Sequence, residues 1–310
     1  MTSSAPRSSP STPSSPRKPV WLAAVGDAND IRTWSGTPFH LLETARPEGV
    51  IDDGLGFEIF ERFRQWRRYA WNIASLLRGR GRGGYQFSNA CVERLWASDP
   101  RPLAGSRVIN CFQLYPVSVL QNPAVERWYY IDQTMRQFFE GYGLRETIGD
   151  WIADDVLRRE TFGYRHAAGI VTHSHWAAQS VVRDYGIAPE RVHVIVPGAN
   201  LADADYRQWA EGRKPPQTAA SGPLKLVFVG TNPQRKGLDR LLRAFVLARR
   251  AGADCSLMVI GSLPETVDAP LRAVPGVEWR GFIDKRRALR EFMDTVAACD
   301  VGCLLSRAEA

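Results

Sequence analysis

The 310-residue sequence has few cysteines and no long apolar run. Its five cysteines are odd in number and never form Cys-x-x-Cys, which indicates neither a disulfide framework nor a zinc site. No run of about 18 or more apolar residues could span a membrane, and no apolar segment near the start is typical of a secretory signal. These absences predict a cytoplasmic protein in a reducing compartment.

Metal-binding motifs are also missing. Four of the five histidines, His166, His173, His175 and His193, lie near predicted strand and helix ends, but no His-Glu-x-x-His pattern or histidine–carboxylate triad occurs. We therefore expect these histidines to have structural or helix-entry roles, and we expect no metal.

The composition is that of a globular protein with a basic surface. Apolar residues make up 44%, and 40 Lys and Arg against 33 Asp and Glu give a net charge of +7. Such a charge favours polyanionic partners, although many enzymes are equally basic. The first 19 residues, 1–19, are rich in Ser, Pro and Thr and are predicted to be disordered.

After this tail, short apolar runs alternate with longer helical patterns, which predicts parallel sheets covered by helices. A segment rich in Pro, Gly and Ala, 208–223, separates domain 20–207 from domain 224–310. We therefore predict an α/β fold with two Rossmann-like domains, the second incomplete. The predicted strands are 20–25, 107–112, 128–131, 169–172 and 192–196, then 224–229, 255–260, 277–280 and 300–304.

The segment 224–237, LKLVFVGTNPQRKG, has the layout of a phosphate site. A β-branched run ends at Gly230, and a loop carrying Arg235, Lys236 and Gly237 leads into an apolar-periodic helix. A helix N-terminus offers unpaired N–H groups and a positive dipole end to an anion. Alone, the segment is equally compatible with an ordinary turn whose cations are solvated, because it lacks the known glycine-rich phosphate patterns.

Several segments together resemble one enzyme family. In order and spacing, the sequence resembles the retaining glycosyltransferases of family 4 (glycosyl transferases group 1), which have the GT-B fold. The resemblance covers residues 20–310 and rests on WSGTPFHLLETA, CFQLYP, YYIDQTM, THSHWAAQSVVRDYG, VHVIVPGANL, VFVGTNPQRKG, VEWRGFIDK and CDVGCLLSRAEA. It implies transfer of a sugar from a nucleotide diphosphate sugar with retention of anomeric configuration, in polysaccharide or glycolipid biosynthesis.

The resemblance also implies roles for residues of the second domain. Lys236 would contact the donor pyrophosphate, with Arg235 and Gly230 beside it. Thr231 stands where family members often carry a further arginine. Glu309 matches the first glutamate of the Glu-x7-Glu motif, which faces the donor sugar, and the second glutamate would lie beyond Ala310. The sequence therefore resembles a C-terminally truncated member, and the alternative function is a non-catalytic fragment that binds nucleotide sugars or polyanions.

In the first domain, the resemblance places Gly36 near the donor phosphates and Ser35 and Thr37 at the acceptor cleft. Thr37 followed by Pro38 is also typical of an ordinary helix start, with Thr37 as the N-cap and Pro38 at the first helical position. Asp132 matches a polar residue beside the acceptor hydroxyl and is assigned a catalytic role, although an aspartate after a strand is also a common turn former.

The resemblance implies no metal and no other cofactor. It implies a saccharide or lipid-linked acceptor, and we expect no nucleic-acid partner. A short cationic repeat, 78–87, is interpreted as a flexible loop near the acceptor cleft rather than an RNA-binding patch.

The stretch 57–77 combines an apolar ridge with arginines. Such a helix could lie peripherally on the anionic inner face of a membrane, or it could pack its ridge into the core. We favour the core helix. The ridge consists of Phe60, Phe63, Trp66, Ala70, Ile73 and Leu77, and the arginines beside it are Arg62, Arg64, Arg67 and Arg68.

Overall fold

The computed structural model describes residues 17–58, 64–80, 82–111, 113–211, 213 and 222–308. The chain divides between Asn200 and Leu201 into two compact units. Each unit is built on one parallel sheet with helices between its strands. The predicted α/β class with two Rossmann-like domains is confirmed.

Six described strands form the sheet of the first unit, in the order β2-β1-β3-β4-β5-β6. The neighbouring strands of this sheet pair in parallel, so their carboxyl ends lie along one edge. The strand order reverses between β1 and β3, where ligands of such sheets usually bind. The strands are β1 Val20–Ala23, β2 Asp53–Gly54, β3 Arg107–Asn110, β4 Glu126–Ile131, β5 Gly169–Thr172 and β6 Val192–Val194.

The first unit's helices cover this sheet. Several begin at polar caps: Ser174 accepts a hydrogen bond from the Ala177 N–H, and Thr134 with Gln137 forms a capping box. The helices are α1 Thr37–Ala45, α2 Arg64–Leu77, α3 Asn89–Trp96, α4 Val117–Leu120, α5 Met135–Gly141, α6 Arg145–Ile148, α7 Asp150–His166 and α8 His175–Tyr185.

The second unit has a four-stranded parallel sheet among its described residues, in the order β10-β7-β8-β9. Leu238, Leu241, Leu242 and Phe245 are buried as predicted, whereas Ala248 at the end of the same helix is exposed. The strands are β7 Leu224–Val229, β8 Cys255–Ile260, β9 Val277–Gly281 and β10 Val301–Gly302. The helices are α9 Asp203–Ala210, α10 Leu238–Arg250, α11 Ala269–Arg272 and α12 Lys285–Ala297.

Several predicted boundaries differ from the structure. The strands expected over 107–112, 192–196 and 300–304 end earlier, although the N–H groups of Cys111, Ile195 and Cys303 just after them still donate to the neighbouring strand. Strand β2 was not predicted, because a strand of two residues is too short to show an apolar pattern in the sequence. It is held beside β1 by parallel pairing and by a hydrogen bond from the Val20 N–H to Asp52 Oδ2.

The predicted linker 208–223 begins inside α9. Trp209 Nε1 donates to Asp294 Oδ1 at 2.9 Å, and this contact attaches α9 to α12 of the second unit. Residues 212 and 214–221 of the predicted linker, and residues 1–16 of the predicted disordered tail, lie outside the described part of the chain.

A buried carboxyl group ties α7 to α5 and α8. Glu160 is 1% exposed and accepts hydrogen bonds from the Met135 N–H, from the Tyr164 hydroxyl at 2.7 Å and from the Tyr185 hydroxyl. Burial raises the pKa of Glu160 to about 7, from an ordinary value of 4.5. Its proton is therefore held more tightly in the folded protein than in the unfolded chain.

We expect this group to make the protein less stable as pH rises. Below the unfolded pKa of Glu160, about 4.5, its contribution to stability is fully present. Between about pH 4.5 and pH 7 the unfolded chain loses the Glu160 proton while the folded protein keeps it, so this contribution is lost as pH rises. The change corresponds to up to about 3 kcal/mol. Urea unfolding across this range should show a flatter pH dependence for Glu160→Gln than for the wild type. Identical pH slopes would contradict the assignment.

Candidate functional site

The loop that leaves β7 is fixed at its first residue. The Gly230 N–H donates to the Ile260 carbonyl at 2.9 Å, and the Gly230 carbonyl accepts from Ser262 Oγ at 2.6 Å. A Cβ on Gly230 would lie 3.1 Å from Lys236 Cγ. The aliphatic stem of Lys236 therefore lies against Gly230, at the carboxyl end of the sheet.

The rest of this loop is a hydrogen-bonded turn that leads to α10 through Gly237, the left-handed N-cap of that helix. The Lys236 N–H donates to the Asn232 carbonyl at 3.0 Å, and the Leu238 N–H donates to the Pro233 carbonyl at 2.9 Å. The Gly237 N–H also donates within the turn, to the Gln234 carbonyl. The expectation of unpaired N–H groups is wrong for these three positions, because the turn uses them. An anion here would meet the Lys236 side chain and the dipole of α10.

A second loop, 303–308, follows β10 and lies directly against this turn. Strands β10 and β7 are neighbours, so their loops emerge side by side. Gly237 is buried with φ of +68°, and a Cβ there would lie 1.9 Å from the Leu305 carbonyl oxygen. Only glycine permits this approach of the two backbones.

Two arginines join the loops. The Arg307 N–H donates to the Arg235 carbonyl at 2.7 Å, and the Arg307 guanidinium binds Asp239 at 2.6 and 2.7 Å. This hydrogen-bonded pairing lowers the pKa of Asp239. In the other direction, Arg235 donates to the Ala308 carbonyl at 3.0 Å. The structure thus brings Lys236, Arg235 and Gly230 together with the residue that precedes Glu309, which itself lies outside the described residues.

In the first unit, the loop between β1 and α1 has an unusual backbone. Trp34, Ser35 and Gly36 all have positive φ, of 43°, 59° and 86°. For the two residues with side chains this conformation costs on the order of 1–3 kcal/mol each. Asn200 holds the turn, because its Nδ2 donates to the Ser35 carbonyl and to Thr37 Oγ1, both at 3.0 Å.

This turn corrects the expected helix start. Gly36, in the left-handed conformation, is the N-cap of α1, and Thr37 is already helical. The Thr37 hydroxyl binds Asn200 instead of capping the helix. Gly36 is buried, and a Cβ added to it would lie only 3.1 Å from the Ile31 carbonyl oxygen. Ser35 is exposed.

Aromatic side chains connect this turn to the ends of β4 and β5. The rings of Trp34 and His173 stack with centroids 5.3 Å apart, and Tyr130 lies 4.4 Å from the same histidine. Burial lowers the pKa of His173 to about 4, so its imidazole is neutral near pH 7. Its Nε2 has no hydrogen-bond partner among the described residues. This nitrogen is buried, so the ring acts on the turn through its stacking with Trp34.

Asp132 follows β4 at a bend of the chain. Burial raises the pKa of its carboxyl group, while the nearby backbone N–H groups of Asp132 and Gln133 act in the opposite direction. Oδ1 also accepts from Gln113 Nε2 at 3.1 Å. Gln113 reaches it from the loop after β3, where it has φ of +73°. Asp132 is thus a half-buried carboxyl group held at the carboxyl edge of the sheet.

Three residues of the first unit were not predicted from the sequence. Trp34, Gln113 and Asn200 gave no local signal, because their partners lie far along the chain. The expected structural role of His173 fits its stacking, but the expectation did not include the unpartnered Nε2. Within the described residues, no group of three or more His, Cys, Asp or Glu is arranged to hold a metal ion.

Comparisons with known proteins do not show a family for this chain. No family model matches the chain, and no curated protein matches it. Among solved structures, the chain is similar to the glycotransferase of kitacinnamycin, with 13% sequence identity and a TM-score of 0.42. The alignment covers 87% of this chain and 73% of that one. A likeness this low carries no argument, so the function proposed below rests on the residues of this chain.

The contact between Gly237 and Leu305 leads to a testable prediction. Gly237→Ala should destabilise the protein by about 2 kcal/mol or more, because the new methyl group meets a carbonyl oxygen and the backbone must keep a positive φ. Gly252→Ala is the matched control, since Gly252 has φ of +92° and nothing lies within 4 Å of the place that its Cβ would take. Chemical denaturation of both variants compares them. Equal losses would show that the contact contributes nothing.

Proposed function

We propose that the protein is a retaining glycosyltransferase of family 4 with the GT-B fold. It would transfer a sugar from a nucleotide diphosphate sugar to a saccharide or lipid-linked acceptor in the cytoplasm. One observation carries the proposal: the loop with Lys236 and the loop leading to Glu309 are locked together by Arg235, Gly237 and Arg307. These are the two segments through which the resemblance places the donor phosphates and the donor sugar.

Lys236 has the main electrostatic role in this proposal. As the bond between sugar and phosphate breaks, negative charge builds on the departing nucleoside diphosphate, and a nearby ammonium group stabilises it. The positive end of the α10 dipole acts in the same direction. Protein cations thus supply the positive charge that stabilises the departing diphosphate, and the proposal includes neither a metal ion nor another cofactor.

The ion pair between Arg307 and Asp239 supports this role. Asp239 lies in the first turn of α10, where an unpaired carboxylate would compete with an incoming phosphate for the helix dipole. Its bidentate pairing with Arg307 offsets that charge. Arg235 mainly positions the loop 303–308, because its guanidinium donates a hydrogen bond to the Ala308 carbonyl.

The remaining residues are assigned to the sugar and the acceptor. Glu309 is proposed to face the donor sugar. In the first unit, Asp132 supplies a carboxyl group for hydroxyl groups, and Ser35 and Thr37 supply contacts to the acceptor. Gly36 is assigned to the donor phosphates, and His173 supports this turn by stacking on Trp34.

Nucleotide binding tests the role of Lys236. Calorimetric titration with UDP, GDP and ADP should identify a diphosphate ligand, and Lys236→Gln should weaken its binding by about tenfold to a hundredfold, since a charge-assisted hydrogen bond is lost. Lys225→Gln is the matched control. This exposed lysine has the same charge and lies near the amino end of the same strand, β7.

Equal binding by the Lys236→Gln variant and the wild type would remove this lysine from the site. If the ligand binds but no sugar is transferred from any nucleotide sugar, the chain is a binding module, and the transferase proposal is wrong.

A further inference from the structure

The apolar ridge of helix α2 faces solvent. Trp66 is 73% exposed, Ile73 60% and Leu77 84%, and they lie at positions i, i+7 and i+11 on one face of the helix. Tyr69 and Leu76 widen the same face and are also exposed. The prediction that this ridge packs into the core is therefore wrong for its described residues.

The opposite face of α2 attaches the helix to the first unit. The ring of Trp71 stacks on Trp151 with centroids 5.3 Å apart, and its Nε1 donates to the Gly83 carbonyl at 2.9 Å. Asn72 Oδ1 accepts from the Gly83 N–H at 2.9 Å, and Ser75 is buried. These contacts orient the helix with its larger aliphatic side chains outward. This is the reverse of an ordinary surface helix.

The charge around the ridge has one sign. Residues 64–82 contain six arginines and no Asp or Glu. Arg78, Arg80 and Arg82 follow the helix and are exposed, and Arg80 lies over the ring of Trp151 at 5.0 Å. Arg68 lies 6.0 Å from the centre of the Tyr69 ring. The ridge is therefore bordered by cations along its flank and at its C-terminal end.

We propose that α2 docks the first unit on an anionic phospholipid bilayer. Its 14 residues span about 21 Å, which is too short to cross a bilayer, so the helix lies in the plane of the interface. The ridge enters the boundary between headgroups and acyl chains, where Trp and Tyr are favoured, and the arginines meet lipid phosphates.

Charge favours this occupant over a second copy of the chain. Two copies facing each other through α2 would bring two sets of six arginines together without an acidic partner in 64–82. An anionic bilayer supplies both an apolar layer for the ridge and phosphates for the arginines. This docking does not depend on glycosyl transfer and would hold if the proposed function failed.

Vesicle binding of the full chain tests the proposal. In sedimentation assays, the protein should bind vesicles of equal parts phosphatidylglycerol and phosphatidylcholine and should bind pure phosphatidylcholine far more weakly. Trp66→Ser/Leu77→Ser should reduce binding by about tenfold or more, because two large apolar side chains no longer enter the interface. Leu247→Ser is the matched control, since Leu247 is 65% exposed on α10.

A second pair of variants tests the charge. Arg68→Gln/Arg80→Gln should weaken binding to the anionic vesicles, whereas Arg158→Gln, at an exposed arginine of α7, should not. Raising the ionic strength to about 1 M, where the screening length falls to roughly 3 Å, should weaken binding of the wild type.

Three results would overturn the proposal. One is the absence of wild-type binding to anionic vesicles. Another is unchanged binding by Trp66→Ser/Leu77→Ser, with thermal unfolding showing that the variant is folded. The third is a dimer that the same substitutions dissociate while no vesicles are bound, because a second copy would then cover the ridge.

Discussion

Gly237 and the carbonyl group of Leu305 lie so close that no side chain fits between them. This approach fixes the turn before α10 against the loop after β10, and the arginine contacts on either side depend on it. Arg307 can reach both the Arg235 carbonyl and Asp239 only while the two loops stay together. This close contact and the arginine hydrogen bonds together place Lys236 near the end of the described chain.

The two units differ in the chemistry at the carboxyl edges of their sheets. The loops of the second unit carry cations, and the carboxylate of Asp239 beside them is paired by an arginine. The candidate residues of the first unit carry no positive charge at neutral pH: they include a half-buried imidazole, a half-buried carboxyl group and an exposed serine. In the proposed function, the cations of the second unit bind a diphosphate and the uncharged groups of the first unit bind hydroxyl groups.

Local patterns in the sequence predicted those features that depend on neighbouring residues. Except for β2, the strands of both sheets were predicted from short apolar runs, and the buried face of α10 was predicted from its helical period. The left-handed turn at Trp34 and Ser35 was not predictable, because it depends on Asn200, more than 160 positions away. The outward ridge of α2 was missed for a similar reason. Periodicity identifies an apolar face, but contacts such as that of Trp71 with Trp151 determine where the face points.

The account rests on a diphosphate binding where the turn 232–237 meets the loop 303–308. A crystal structure of the protein with a bound nucleoside diphosphate tests this claim most directly. The account predicts that the phosphate oxygens lie within hydrogen-bonding distance of the Lys236 ammonium group, at the N-terminal end of α10. A diphosphate bound elsewhere, with the Lys236 side chain turned away from it, would contradict the account.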